Sequence, residues 1–201
     1  MRIGILAVQG AFLEHEQMLD QLNIDYIEIR QPSDLKADMN GLILPGGEST
    51  VQRKLLKDFG LFEPLKKQIE AGLPVLATCA GMILLASHLS DSDDACFQTM
   101  PVTVRRNAYG RQLGSFHTTA PFGTIGKIPM TFIRAPYVES YGAGVKSLAT
   151  VDNKTVAIQY KNQIALGFHP ELDCDTKIYL LFFNLIKDFS RSVSPLHESF
   201  R

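Results

Sequence analysis

The chain has 201 residues, of which 45% are hydrophobic, and a formal net charge of −1 at pH 7. This length is enough for one domain with a substantial core, and the charge lacks the basic excess of a nucleic-acid-binding protein. No apolar run reaches the roughly 18 residues needed to span a membrane. The cysteines number three and are widely spaced, which argues against a disulfide framework and indicates a reducing compartment. We therefore expect a soluble, cytoplasmic protein that binds neither nucleic acid nor a membrane.

The first part of the chain alternates between short apolar runs and segments with helical spacing. Strands are predicted at residues 3–8, 26–29, 41–44 and 75–77, and helices at residues 14–22, 50–59, 62–71 and 82–86. Strands that alternate with helices form βαβ units, whose parallel sheet is covered on both faces. The predicted fold is therefore α/β: a single domain with a mostly parallel mixed sheet flanked by helices, in a flavodoxin-like arrangement of three layers.

The second part of the chain has a different character. Residues 102–166 are rich in β-branched and aromatic side chains, with frequent Gly and Pro, which predicts extended strands, some of them antiparallel, and no long helix. A further buried strand is predicted at residues 164–168 and a closing helix at residues 177–188. We expect the domain to span residues 1–188 and residues 189–201 to form a flexible C-terminal tail.

Cys79 stands between an apolar run typical of a buried strand and a second run typical of a packed helix. No polar loop separates the runs, so the chain must turn sharply at Cys79, and the small Ala80 and Gly81 make that turn sterically possible. Such an elbow lifts a nucleophile clear of the sheet and places the sulfur at a helix N-terminus, which favours the thiolate. The alternative is that Cys79 is a buried small hydrophobic residue.

The sequence His-Pro-Glu at residues 169–171 follows the last predicted strand. In an extended segment, residues two apart point to the same face, so His169 and Glu171 are expected side by side. A carboxylate beside an imidazole fixes its tautomer and stabilises the imidazolium, as in a nucleophilic triad. The alternative is a strand-end histidine beside an ordinary surface acid.

The remaining histidines are weaker candidates. We expect His15 on an exposed helix face among acids, and His117 without a placed carboxylate. Cys174 raises the alternative of a metal site with His169, but no second histidine or Cys-x-x-Cys pair supports it. We predict no metal, and we expect the acidic residues 91–94 to form a solvated loop without the spacing of a calcium site.

Two glycines follow the third strand in the segment Pro-Gly-Gly-Glu-Ser-Thr at residues 45–50. They free backbone N–H groups to face an oxyanion, although the segment also fits a glycine turn with Ser49 or Thr50 as a helix cap. It lacks the Gly-Lys-Ser/Thr ending of a phosphate loop, and no dinucleotide fingerprint occurs elsewhere, so no cofactor is predicted. Because the carboxyl ends of parallel strands share one edge, Gln9, Gly46 and Cys79 should meet there.

At these residues the sequence resembles the class I glutamine amidotransferases, and among them the glutaminase subunits of pyridoxal 5′-phosphate synthase. The resemblance rests on Thr-Cys-Ala-Gly around Cys79, the His-Pro-Glu segment, and further matching segments between the N-terminus and about residue 188. These are Val-Gln-Gly-Ala at residues 8–11 with Glu14 and His15, residues 44–50, Arg-Asn-Ala-Tyr-Gly-Arg-Gln at residues 106–112 with Ser115 and Phe116, and Phe-Ile-Arg-Ala-Pro at residues 132–136.

The resemblance implies hydrolysis of L-glutamine to L-glutamate and ammonia, with ammonia delivered to a partner synthase subunit that builds pyridoxal 5′-phosphate. Cys79 would be the nucleophile, His169 the general base and acid, and Glu171 its orienting partner. The N–H groups of Gly47 and Ala80 would form the oxyanion hole. The implied glutamine-binding residues are Gly47, Glu48, Ser49, Arg106, Ile133 and Arg134, of which the arginines suit a substrate carboxylate.

The resemblance also places Gln9 where the family couples the oxyanion loop to the partner, so the isolated chain is expected to have low activity. The sequence departs from the family pattern at His117, where an acid usually follows the phenylalanine, and at Asp173, where a hydroxyl residue is usual. Neither departure touches the triad, but both bear on the partner surface or on loop order.

Two alternatives stay open at this point. A non-enzymatic, flavodoxin-like regulatory or redox domain would keep a reactive Cys79 but has no need of His169, Glu171 or Arg106. An amidotransferase subunit of another synthase would keep the triad, and the segment at residues 106–112 argues against it.

Overall fold

The computed structural model describes residues 1–107 and 114–193. Within these residues the strands are β1 (Arg2–Leu6), β2 (Asp25–Ile29), β3 (Gly41–Leu44), β4 (Val75–Thr78), β5 (Ala86–Leu89), β6 (Met100–Arg105), β7 (Ser115–Pro121), β8 (Lys127–Ile133), β9 (Tyr137–Tyr141), β10 (Lys146–Val151), β11 (Lys154–Tyr160) and β12 (Gln163–Leu166). The α-helices are α1 (Phe12–Gln21), α2 (Ser49–Asp58), α3 (Phe62–Glu70), α4 (Ala80–Leu85) and α5 (Lys177–Val193). Short 3-10 helices span Pro32–Lys36 and Pro170–Leu172.

A large mixed sheet runs through the domain in the order β2-β1-β3-β4-β12-β11-β9-β6-β5, with β10 paired to β11. From β2 to β12 the neighbouring strands are parallel, while β12, β11, β9 and β6 pair antiparallel to one another in sequence. Every residue of β3, β4 and β12 is buried, as expected for parallel strands that helices cover on both faces. These features agree with the predicted mostly parallel mixed sheet.

The core divides into two clusters, one on each face of the sheet. In β3, Ile43 packs into the cluster that contains residues of α1 and α5, whereas Leu42 and Leu44 pack into the cluster that contains residues of α2, α3 and α4. Alternation of side chains along a strand accounts for this division. The result is the predicted arrangement of three layers.

A separate antiparallel hairpin, β7 with β8, packs beside the large sheet. The rings of Phe116 and Phe132 stack with centroids 4.5 Å apart, and Phe132 lies 5.6 Å from Phe168, the residue that precedes His169. This contact places the end of β8 next to the end of β12.

Several element bounds differ from those predicted. The first strand ends at Leu6 and not at residue 8, and the helix that follows Cys79 is succeeded by strand β5, which was not predicted. The last helix continues to Val193 and not only to residue 188. Within it, the Ser190 hydroxyl donates to the Ile186 carbonyl at 3.0 Å, an intrahelical bond that lets a serine remain helical. The rest of the predicted tail, residues 194–201, lies outside the described residues.

No helix in the described part of the chain is both long enough and apolar enough to cross a membrane.

Candidate active site

Four neighbouring strands of the sheet, β1, β3, β4 and β12, bring their carboxyl ends to one edge. Gln9, Gly46, Cys79 and His169 follow these four strands in turn and line one cleft. The predicted convergence of the strand ends is therefore present in the structure.

Cys79 occupies a strained turn between β4 and α4, with φ 47° and ψ −100°. A left-handed φ is unfavourable for a residue with a Cβ, and such strain is typical of functional positions. Gly81 makes the turn possible, because a Cβ at this position would lie 2.2 Å from the Leu44 carbonyl oxygen. The sulfur of Cys79 lies 3.9 Å from the Ile133 carbonyl oxygen at the end of β8.

His169 and Glu171 contact each other directly, with 2.7 Å between His169 Nδ1 and Glu171 Oε1. The prediction that these residues lie in an extended segment is wrong. Pro170 begins a 3-10 helix, where its fixed φ is favourable. The His169 N–H donates to the Thr131 carbonyl at 2.9 Å, which ties the histidine backbone to β8. His169 is thus held through both its ring and its backbone.

The titration of His169 reflects its two neighbours. Burial acts to lower the pKa of His169, but its interaction with Cys79 and its hydrogen bond with Glu171 outweigh burial and raise this pKa to about 10. Burial acts to raise the pKa of Glu171, yet the imidazoles of His15 and His169 hold this pKa below its ordinary value. An imidazolium between a sulfur and a carboxylate is therefore the favoured state at neutral pH.

The cleft has a volume of about 450 Å³. Its lining is Gln9, Ala11, Gly46, Gly47, Glu48, Ser49, Thr50, Cys79, Ile83, Arg106, Asn107, Ile133, Arg134 and His169. All six residues predicted to bind glutamine are in this set, as is Gln9. Of the other predicted residues, Glu171 lies behind His169 and Ala80 is the first residue of α4. Residues 108–113, which include part of the predicted Arg-Asn-x-x-Gly-Arg-Gln segment, lie outside the described residues.

The loop at residues 45–50 packs tightly against the loop after β1. The Ala11 N–H donates to the Gly46 carbonyl at 3.0 Å, and a Cβ at Gly10 would come within 1.9 Å of that oxygen. The Gln9 side-chain oxygen accepts the Glu48 N–H at 3.0 Å, which joins Gln9 to the loop beside Gly47. Neither of the hydroxyl residues considered as helix caps fills that role, since α2 begins at Ser49 after Glu48.

Both arginines of the cleft are partnered by carboxylates. The Nε group of Arg106 contacts both carboxylate oxygens of Asp91, at 3.1 and 3.0 Å, and Arg134 pairs with Glu48 at 3.0 Å. The loop at residues 91–94 was predicted to be solvated, and Asp91 is exposed there while its carboxylate orients an arginine of the cleft.

Two predictions about histidines are wrong. His15 is fully buried, not exposed, and its ring contacts Tyr179 and Thr78. The helical spacing of α1 could have shown this, because residue 15 lies one turn before the buried Met18 and Leu19 and so shares their face. His117 is also not without a carboxylate, since its Nε2 lies 3.2 Å from Asp173 Oδ1; its partner is 56 residues away, and no local pattern indicates the pair.

Among residues 1–107 and 114–193, no group of three or more His, Cys, Asp or Glu side chains could hold a metal ion. The three cysteines are free, with Cys79 and Cys96 buried and Cys174 exposed.

The sequence profile of the SNO glutamine amidotransferase family matches residues 5–188, almost the whole domain that carries this site. The chain belongs to this family. A pyridoxal 5′-phosphate synthase subunit PdxT from Desulfitobacterium hafniense is 58% identical over 188 residues, which cover 94% of each chain. A PdxT subunit from Streptococcus pneumoniae is 51% identical over 193 residues, which cover 94% of this chain and the whole of that subunit.

Solved structures of glutamine amidotransferases share the fold of this chain. The crystal structure of a glutamine amidotransferase superimposes with a TM-score of 0.87 at 35% identity, over 92% of this chain and 98% of that one. A glutamine amidotransferase from Thermotoga maritima has a TM-score of 0.59 at 13% identity, over 97% of this chain and 86% of its own, and shares the fold. The predicted family and fold class are confirmed.

Proposed function

We propose that this chain is the glutaminase subunit of a pyridoxal 5′-phosphate synthase, which hydrolyses L-glutamine to L-glutamate and supplies ammonia to the synthase subunit. The observation that carries the chemistry is the contact of His169 with Glu171 at a cleft that also contains Cys79. The partner and the pathway follow from the high identity to PdxT subunits over nearly the full length of both chains.

In the resting site, Cys79 acts as a thiolate beside the His169 imidazolium, while Glu171 orients the ring through Nδ1. This state is supported by the raised pKa of His169, which its interactions with Cys79 and Glu171 produce against the effect of burial. The position of Cys79 at the start of α4 adds the positive end of the helix dipole.

In the first half-reaction, the thiolate attacks the side-chain amide carbon of glutamine and the carbonyl oxygen takes up the electron pair. The N–H groups of Gly47 and Ala80 stabilise this oxyanion. His169 gives its proton to the amide nitrogen, the C–N bond breaks, and ammonia leaves as the thioester with Cys79 forms.

In the second half-reaction, neutral His169 takes a proton from water, and the hydroxide attacks the thioester carbon. The C–S bond breaks, the sulfur leaves as a thiolate, and His169 is again an imidazolium. The acid product then departs with the OH of the water in place of the amide nitrogen, and the other hydrogen of the water replaces the proton that His169 gave to ammonia.

Recognition of glutamine uses the rest of the cleft. Arg106 and Arg134 offer guanidinium groups to the α-carboxylate, and the carboxylate of Glu48 suits the α-ammonium. Ser49 and Ile133 contribute a hydroxyl and an apolar surface beside them. Asp91 fixes the direction of Arg106, as its contact with Nε leaves the other guanidinium nitrogens for the substrate.

Gln9 is proposed to couple the oxyanion loop to the partner, because its side chain holds the Glu48 N–H next to Gly47. A partner that contacts Gln9 would change the geometry of this loop and thereby the rate. The cytoplasmic location expected from the cysteine content belongs to the same proposal.

Glutamate release tests the function. We would assay the wild type, Cys79→Ala and the matched control Cys174→Ala, each with and without the cognate synthase subunit. The wild type and the Cys174→Ala variant should release glutamate, and more so with the partner, whereas the Cys79→Ala variant should not.

The other outcomes separate the parts of the proposal. Activity that depends on Cys79 and ignores the partner would retain the chemistry and remove the role of Gln9. Absence of glutamate from every mixture, with a folded chain and a complex verified by sedimentation, would refute the glutaminase function.

A further inference from the structure

Behind the proposed triad lies a buried histidine that takes no part in the proton transfers of the proposed reaction. The ring of His15 is completely inaccessible to solvent. Its Nδ1 lies 2.8 Å from the Tyr179 hydroxyl, and its Nε2 lies 3.3 Å from Thr78 Oγ1 and 3.6 Å from Glu171 Oε2. His15 therefore joins α1 to α5, to β4 and to the carboxylate that contacts His169.

The carboxylate of Glu171 needs a second donor. Its Oε1 accepts from His169, but no group in the described part of the chain makes a hydrogen bond to its buried Oε2. A buried carboxylate oxygen without a donor is costly, and Nε2 of His15 lies just beyond hydrogen-bond distance of this oxygen. A small closing movement of either side chain would complete the bond.

The surroundings of His15 select its tautomer. Burial lowers the pKa of His15 against the opposing effect of Glu171, and so favours the neutral form of the ring. Burial and the nearby Glu171 raise the pKa of Tyr179, so its phenol keeps a proton that it can donate to Nδ1. Nε2 then carries the hydrogen, which faces the carboxylate, whereas the other tautomer would turn a lone pair toward Glu171.

We propose that His15, held by Tyr179 as the Nε2–H tautomer, is a positioning residue that fixes the Glu171 carboxylate and through it the orientation of His169. The proposal rests on the proposed function for its kinetic consequences. It also joins the triad to the oxyanion loop, because Thr78 Oγ1, the other neighbour of Nε2, accepts the Gly46 N–H at 2.9 Å.

A pair of substitutions separates donation from packing. His15→Gln keeps an N–H donor close to the place of Nε2, while His15→Leu removes it, and both leave the Tyr179 hydroxyl without its acceptor. We expect His15→Leu to lower kcat by about 10- to 100-fold, the value of one hydrogen bond to a charged group. His15→Gln should recover most of this loss, and His88→Leu, at an exposed histidine, should leave kcat unchanged.

The pH profile gives a readout that packing alone would not move. Without its donor the Glu171 carboxylate is less stabilised, so its pKa rises and the acidic limb of kcat moves to higher pH in His15→Leu. The limb should stay in place in His15→Gln.

Two measurements are independent of glutaminase activity. The rate of Cys79 alkylation by iodoacetamide, followed by mass spectrometry in the chain alone, should fall in His15→Leu and recover in His15→Gln. The ¹⁵N chemical shifts of the His15 ring should show a protonated Nε2 in the wild type.

Tyr179→Phe removes only the hydroxyl. In this variant both tautomers of His15 should be populated, and alkylation of Cys79 should slow by about 3- to 10-fold.

Each result decides one question. A wild type that makes no glutamate with its partner refutes the proposed function, and alkylation and the ¹⁵N shifts still test the role of His15. Equal losses in His15→Gln and His15→Leu, or a protonated Nδ1, overturn the positioning role. If His15→Leu does not fold, an unchanged tautomer and alkylation rate in Tyr179→Phe overturn it instead.

Discussion

The imidazole of His117 in β7 lies 3.2 Å from the carboxylate of Asp173, two residues after Glu171. These are the two positions at which the family resemblance leads us to expect a departure from the usual pattern. Asp173 Oδ1 also accepts the hydroxyl of Thr131 at 3.2 Å, so one carboxylate joins both strands of the hairpin to the segment that carries the triad acid. The two departures therefore form a single contact, and a change at one position should require a change at the other.

Substitution of both residues tests whether each position depends on the other. His117→Glu places a second carboxylate beside Asp173, and we expect the free energy of unfolding to fall by about 0.5–1 kcal/mol. Addition of Asp173→Ser, which gives the acid and hydroxyl expected from the family resemblance, should restore most of the lost free energy. Urea unfolding of the wild type, both single variants and the double variant measures the coupling. Equal effects of His117→Glu in both backgrounds would show that the residues act independently.

Gly46 is a second sensitive position, because a Cβ there would lie 2.3 Å from Cε1 of His169 and 3.4 Å from the Cβ of Cys79. Gly46→Ala should displace the imidazole and lower kcat/KM by at least about 100-fold, since misplacement near 1 Å has this effect. Gly142→Ala is the matched control, as its nearest contact would be an ordinary 3.4 Å to the Pro101 carbonyl. Full activity in Gly46→Ala would contradict the close packing of the imidazole on this loop.

The pKa of His169, raised to about 10, predicts the alkaline behaviour. The imidazolium is the acid that protonates the leaving nitrogen, so kcat/KM should hold through neutral pH and fall with a midpoint near pH 10. The contribution of His169 to the free energy of unfolding changes with pH in the same direction. This contribution is complete below the ordinary histidine pKa of 6.5 and is lost as pH rises through about 10. A midpoint near neutral pH, from initial rates of glutamate release across the neutral and alkaline range, would exclude an imidazolium in the resting site.

Asp91 should influence substrate affinity through Arg106. The Asp91→Ala substitution removes both contacts to the guanidinium Nε. Loss of this orientation should raise KM for glutamine by about 3- to 10-fold with kcat little changed, as for an interaction made equally in ground state and transition state. Asp93→Ala, at an exposed neighbour in the same loop, is the control. A lower kcat with an unchanged KM in Asp91→Ala would assign Arg106 to the reacting atoms.

Local patterns in the sequence, with one rule for parallel sheets, were sufficient for the elbow and for the convergence of the strand ends. The elbow at Cys79 needs only a buried strand, two small residues and an apolar helix, all adjacent in the chain. The convergence of Gln9, Gly46 and Cys79 needs only the rule that ligands bind at the carboxyl ends of parallel strands.

Contacts between individual side chains of distant segments could not be predicted in this way. The ring of His15 meets Tyr179, which is 164 residues away, and His117 meets Asp173 at a separation of 56 residues. Such pairs depend on how the layers pack, which the periodicity of a single segment does not specify. The 3-10 turn at Pro170 also brings His169 and Glu171 together by a route that differs from the extended one expected from residue spacing.

The cleft is assembled from two sheets that share no strand. Cys79 and the loop at Gly46 follow strands of the large sheet, whereas Ile133 and Arg134 stand at the end of the β7–β8 hairpin. One wall of the cleft therefore belongs to a hairpin that lies outside the large sheet. Because β8 also accepts the His169 N–H at the Thr131 carbonyl, a change in the hairpin alters the position of the general acid as well as the wall that faces the substrate.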